Sequence, residues 1–125
     1  MGITQLKIAV TGLGFVLIFL SGYWLNRMGQ PFSLVVLAIH KLIAVATIAT
    51  LVVTVLRINK IAPLGQAEWI ACIAATVFFV ATIASGGWLG AVKNMPAVVR
   101  MLHRILPFLT ALSTAAFLYL LFRRR

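Results

Sequence analysis

The sequence predicts an all-α integral membrane protein: an up-down-up-down bundle of four transmembrane helices, one domain over residues 1–125. Three observations carry that prediction. Apolar residues make up 63% of the chain and charged residues 10%, against roughly 25% charged in soluble domains. No water-soluble fold of this length hides that much apolar surface, so the solvent has to be largely lipid. The charge-free gaps from Ile8 to Asn26 and from Trp69 to Val92 are each long enough to cross a ~30 Å hydrocarbon core as a helix. The apolar runs also do not alternate with polar residues, which argues against a transmembrane β-barrel.

The first helix is expected over about residues 6–25, closed by Tyr23 and Trp24, side chains suited to a membrane–water interface. Lys7 ahead of an apolar run resembles the start of a signal peptide. No small-x-small cleavage site precedes Tyr23, so the segment reads as a span. Gly29 and Pro31 break the chain, and the second helix follows over about 32–56. Residues 57–66, with Pro63 and Gly65, form the next loop, and the third helix covers about 67–90. Ala91 to Met95 is the last connection. Pro96 opens the fourth helix, about 96–122, where its missing N–H costs little. The tail Arg123-Arg124-Arg125 stops that helix in water.

Composition excludes several functions. The net charge of +10 comes from cations flanking apolar segments, so anionic lipid headgroups, and not nucleic acid, are the natural partners. The single carboxylate, Glu68, and the lack of aspartate leave no acid–base pair and no Ser-His-Asp triad. The lone Cys72 excludes an intrachain disulfide and a thiolate metal cluster, and reads as a packing residue.

Lys and Arg set the orientation. Lys7, Arg57, Lys60, Arg123, Arg124 and Arg125 lie on one side, six in all; Arg27, Lys41, Lys93, Arg100 and Arg104, five, lie on the other. Lys41 and Arg104 sit inside helices beside the histidines; setting these two aside leaves 5 − 2 = 3. Six against three puts both termini in the cytoplasm, and the expected location is a prokaryotic cell membrane.

His40 and His103 are the only histidines, each one or two turns inside an even-numbered segment. Those two segments start from the same face in an alternating topology, so the imidazoles are expected at similar depth in one leaflet. An ionisable group at that depth marks function by default. By the helical period, His40 heads a face of Ala44, Thr47, Leu51 and Thr54, and His103 one of Pro107, Thr110, Thr114 and Phe117. Small and hydroxyl residues of this kind face a helix-bundle interior. Pro107 removes the donor for the His103 carbonyl, and a kink there is expected.

Gly22 on the first helix, and Gly86, Gly87 and Gly90 on the third, lie towards the same end as the histidines. Glycine lets a flat macrocycle approach a backbone, while Gly86 and Gly90 also read as a G-x-x-x-G packing motif. Gly12 and Gly14 read as packing residues. His40-Lys41 and His103-Arg104 each put a cation directly after the imidazole, with Arg100 one turn before His103. Such cations suit carboxylates such as haem propionates, and interfacial anchoring is the plainer role.

One histidine on each of the second and fourth helices, with glycines on the first and third, resembles the haem-binding bundle of membrane b-type cytochromes. The resemblance implies one haem b, its iron held by His40 and His103. Lys41, Arg100, Arg104, Gly22, Gly86 and Gly87 would lie around it. Where two-haem members carry a second histidine pair, this chain has Thr54 and Phe117, so at most one bis-histidine haem is expected. The implied function is an electron-transfer subunit relaying electrons between a quinone and a partner, within a larger membrane redox assembly. The rival is a haem-free accessory subunit of a membrane complex. A transporter lacks a midplane carboxylate, and two histidines alone make half a zinc site.

Overall fold

The computed structural model describes residues 2–29, 32–91 and 95–123, and the regular structure in them is α-helical. Four helices follow in order: α1 (Ile3–Met28), α2 (Leu34–Ile61), α3 (Gln66–Ala91) and α4 (Ala97–Arg123). Each has 26 to 28 residues, about 40 Å at 1.5 Å per residue. All four are long and apolar enough to span a membrane. Gln30, Pro31, Val92, Lys93, Asn94, Arg124 and Arg125, which the sequence analysis placed in turns, in the cation tally and in the tail, lie outside the described residues. So does the side-chain environment of Gly90.

The helix ends follow local chemistry. α1 closes at Gly29, with φ 70 and ψ −178, a region essentially reserved for glycine. The Gly29 N–H still bonds the Leu25 carbonyl at 3.1 Å. α2 starts at Leu34 because Ser33 caps it, the hydroxyl accepting from the Val36 N–H at 3.5 Å. It runs to Ile61, past the expected end at Leu56. Residues 57–61 contain no Gly or Pro, and the stems of Arg57 and Lys60 carry their charges outwards without unwinding the helix. The stop comes at Ala62, extended at φ −141 and ψ 100, as the following Pro63 dictates.

At the start of α3, the Glu68 carboxylate accepts from the Gly65 N–H at 2.8 Å. That is the reach-back half of a capping box, at the positive end of the helix dipole. The chain's one carboxylate is therefore engaged at a helix end. Pro96 lies one residue outside α4, and its carbonyl accepts from the Val99 N–H at 3.1 Å. α4 continues as a single α-helix through Pro107.

The chain divides into two compact units, Met1–Pro63 and Leu64–Arg125. Each is an antiparallel helical hairpin, α1 on α2 and α3 on α4. The seam of the first hairpin buries Thr11, Ser21 and Leu25 against Thr47, Leu51, Thr54 and Val55. The seam of the second buries Ala75 and Phe79 against Thr110, Thr114, Phe117 and Leu121. Large apolar side chains such as Leu20, Trp24, Leu42, Ile70, Phe108 and Leu112 point outwards. Hydroxyl residues interleaved with apolar ones inside, and large apolar side chains also outside, is an arrangement that suits lipid. Helices there gain from close packing, and hiding apolar surface brings nothing.

Four of the seam hydroxyls are satisfied within their own helices, while that of Thr114 is buried without a hydrogen-bond partner among the described residues. Thr11, Thr47, Thr54 and Thr110 each donate to the carbonyl four residues back, at 2.7 to 2.9 Å. Gly14 lets α1 come against the Thr47 side chain, which a Cβ at position 14 would strike. Gly12, expected to pack in the same way, faces open space in its hairpin.

Candidate functional site

His40 is the seventh residue of α2 and His103 the seventh of α4, counting from Leu34 and Ala97. Each imidazole therefore lies about 9 Å along its helix from the first residue. Both rings are half-buried, turned towards the neighbouring helix of their own hairpin. There each meets a serine. Ser21 Oγ lies 2.7 Å from His40 Nδ1, and Ser85 Oγ lies 2.9 Å from His103 Nδ1.

The serines also touch their own backbones. Ser21 donates to the Ile18 carbonyl at 3.1 Å, and Ser85 to the Thr82 carbonyl at 2.9 Å. A serine hydroxyl has one proton and a carbonyl has none to give. One assignment satisfies both contacts of each serine: the hydroxyl donates to the carbonyl and accepts from the imidazole Nδ1–H. A neutral ring protonated at Nδ1 carries its lone pair on Nε2.

The residue after each serine is glycine, and the ring packs on it. A Cβ built on Gly22 would stand 3.3 Å from His40 Cε1. One built on Gly86 would stand 2.6 Å from His103 Cε1 and 3.1 Å from Nε2. Side chains at either position would push on the imidazole, so here the lack of a Cβ has a direct use. Gly87, singled out together with Gly86, has nothing within 4 Å of a built Cβ and takes no part in this contact.

Lys41, Arg100 and Arg104 are exposed on α2 and α4. Lys41 and Arg104 follow their histidines by one residue, which turns them about 100° away from the seam. Arg100 sits one turn before His103 on a nearer flank. Cys72 is half-buried on α3, 31 residues from His103 in sequence (103 − 72 = 31).

The two hairpins repeat one another. Ser21-Gly22-Tyr23-Trp24-Leu25 corresponds to Ser85-Gly86-Gly87-Trp88-Leu89 at a shift of 85 − 21 = 64 residues. His40-Lys41-Leu42-Ile43 corresponds to His103-Arg104-Ile105-Leu106 at a shift of 103 − 40 = 63. The seams obey the same shifts: Thr11 and Ala75, Thr47 and Thr110, Leu51 and Thr114, and Thr54 and Phe117 are all buried. Each hairpin is thus a version of one unit: a Ser-Gly-x-Trp-Leu helix packed on a His-cation helix. Arg100 and Pro107 belong to the second version only, where the first has Leu37 and Ala44. Ser21 and Ser85 did not stand out among apolar neighbours, although comparing the sequence with itself at this shift finds both.

Among the described residues, no group of three or more His, Cys, Asp or Glu side chains gathers to hold a metal ion. A site built from protein ligands alone is therefore not formed there. Haem makes a smaller demand, because the porphyrin fills four positions and the protein adds only the axial ligands. A neutral imidazole anchored through Nδ1–H, with its lone pair on Nε2, is the donor such an iron takes. The serine contacts of His40 and His103 are compatible with that form in both rings. No protein-family model, curated protein or solved structure matches the chain.

Proposed function

We propose that the chain is a b-type cytochrome-like electron-transfer subunit of a membrane, with His40 and His103 as the axial ligands of one haem b. The observation that carries this reading is the serine-anchored imidazole found at the same helix position in both hairpins. Haem would supply a one-electron iron couple, and two imidazole ligands would keep it six-coordinate, as in electron-transfer centres. The residues of the chain have separate tasks. Ser21 and Ser85 hold the imidazoles, and Gly22 and Gly86 make room for them. Lys41, Arg100 and Arg104 are the cations that would lie around the propionate carboxylates.

The four helices are long and apolar enough to span a membrane, where a lipid-soluble carrier could reach them. The proposed donor or acceptor on one side is a lipid-soluble quinone, and the other is a partner in a larger membrane redox assembly. The apolar outer faces of the helices would serve equally in a haem-free accessory subunit. A reduced-minus-oxidised absorption spectrum of the purified protein separates the two. A Soret band with a sharp reduced α-band is expected, and a featureless visible spectrum leaves the accessory role.

The same reading places the haem near the outer face of a prokaryotic cell membrane, with both termini cytoplasmic. Single cysteines at Met28 and Gln66, in a Cys72→Ala background, test the orientation. An impermeant thiol reagent added to intact cells should label position 28 and spare position 66. The reverse pattern would move the histidines to the cytoplasmic leaflet.

A further inference from the structure

We infer that Ser21 and Ser85 are positioning residues that fix the tautomer of His40 and His103, holding the proton on Nδ1 so that Nε2 is the ligating atom. The identity of the ligated metal rests on the haem reading above; the tautomer does not.

Three observations support a role beyond ordinary helix packing. The first is direction. The seam threonines donate four residues back, whereas Ser21 and Ser85 donate three residues back, to Ile18 and Thr82. The second is the cross-helix contact. Each serine adds a bond to an imidazole of the facing helix, at 2.7 and 2.9 Å, which a hydroxyl serving only its own helix has no need to make. The third is repetition: the same serine, glycine and histidine meet in the same way in both hairpins. Changes elsewhere in the seam, such as Thr54 against Phe117, show that the two halves were free to differ.

The chemistry follows from the direction of the bonds. In water a neutral histidine side chain favours the Nε2–H form, which puts a proton where a metal would bind. A serine whose own proton is committed to a carbonyl can only accept, and in a low-dielectric seam that preference is strong. The chain Nδ1–H to Oγ–H to carbonyl also polarises the ring and makes Nε2 the more basic donor, the usual task of a group behind a ligating histidine. Serine fits better than a longer side chain because the adjacent glycine brings the ring so close.

The test is nitrogen NMR of the full chain in micelles, with ¹⁵N-labelled histidine, at a pH where both rings are neutral and before haem is added. Both rings should show a protonated Nδ1 and an unprotonated Nε2. Ser21→Ala should convert the His40 ring alone towards the Nε2–H form; Ser85→Ala should shift the His103 ring alone, and less completely, because the Thr82 carbonyl also bonds that ring. Ser21→Thr, which keeps the hydroxyl, should retain the wild-type pattern. In haem-loaded protein each alanine variant should raise the midpoint potential, since a less polarised imidazole stabilises the ferric state less. Wild-type rings in the Nε2–H form, or alanine variants that leave the tautomer unchanged, would overturn the inference. Nδ1–H rings in a protein that takes up no haem would uphold it and defeat the haem reading instead.

Discussion

Replacing either His40 or His103 by alanine should abolish the low-spin haem spectrum while the chain still inserts and keeps its helices. A bis-imidazole centre loses its six-coordinate state when either ligand goes, so the two single variants should be about equally severe. The fold should survive, because the bond from each imidazole to its serine is a small part of the seam. Such bonds are worth about 0.6–1.7 kcal/mol in a membrane. The remaining seam of the first hairpin, with Thr11 at 1% and Thr54 at 2% exposure, does not depend on the ring. Absorption spectra of membranes, normalised to protein level, read both effects. A variant keeping the wild-type reduced spectrum would remove its histidine from the ligand set.

The second large effect is expected at the glycines that seat the rings. In Gly86→Ala the new Cβ would lie 2.6 Å from His103 Cε1, closer than carbon atoms approach, so the imidazole must move. Overpacking of this kind costs about 1–3 kcal/mol, and roughly tenfold in haem affinity for every 1.4 kcal/mol taken from the bound geometry. In Gly22→Ala the corresponding distance is 3.3 Å, which a shift of a few tenths of an ångström relieves. Haem retention should therefore fall clearly in the first variant and only slightly in the second. Equal retention in both would mean that the rings leave the glycines when haem binds.

The helices were legible because lipid imposes a simple requirement: long runs without charge, read directly from Ile8 to Asn26 and from Trp69 to Val92. Their ends were less so. Arg57 to Ile61 looked like a loop by charge but stays helical, because nothing before Pro63 breaks the backbone. The inward faces were legible too, since Thr47, Leu51, Thr54, Thr110, Thr114 and Phe117 follow the helical period from each histidine and all are buried. Gly12 makes no such contact within its own hairpin, and sequence alone does not separate such a glycine from one at a helix contact.

The histidines stood out by being ionisable in an apolar setting. Their partners did not. A serine in a membrane helix commonly satisfies itself on its own carbonyls, so Ser21 and Ser85 carry no individual signal. What marks them is the recurrence of Ser-Gly-x-Trp-Leu in both halves, a property of the pair and not of either residue. The packing of Gly22 and Gly86 against imidazoles was likewise out of reach, because sequence gives the end of the helix a glycine occupies but not the atom it meets.

The proposed haem b, one per chain and held by two imidazoles, has a distinct spectroscopic signature. Low-temperature electron paramagnetic resonance on the oxidised, purified protein, combined with a pyridine haemochrome assay, tests it most directly. One haem b for each chain and a low-spin ferric signal of the bis-imidazole type are expected. A high-spin signal, a second haem, or protein that stays colourless after haem is supplied would contradict the proposal.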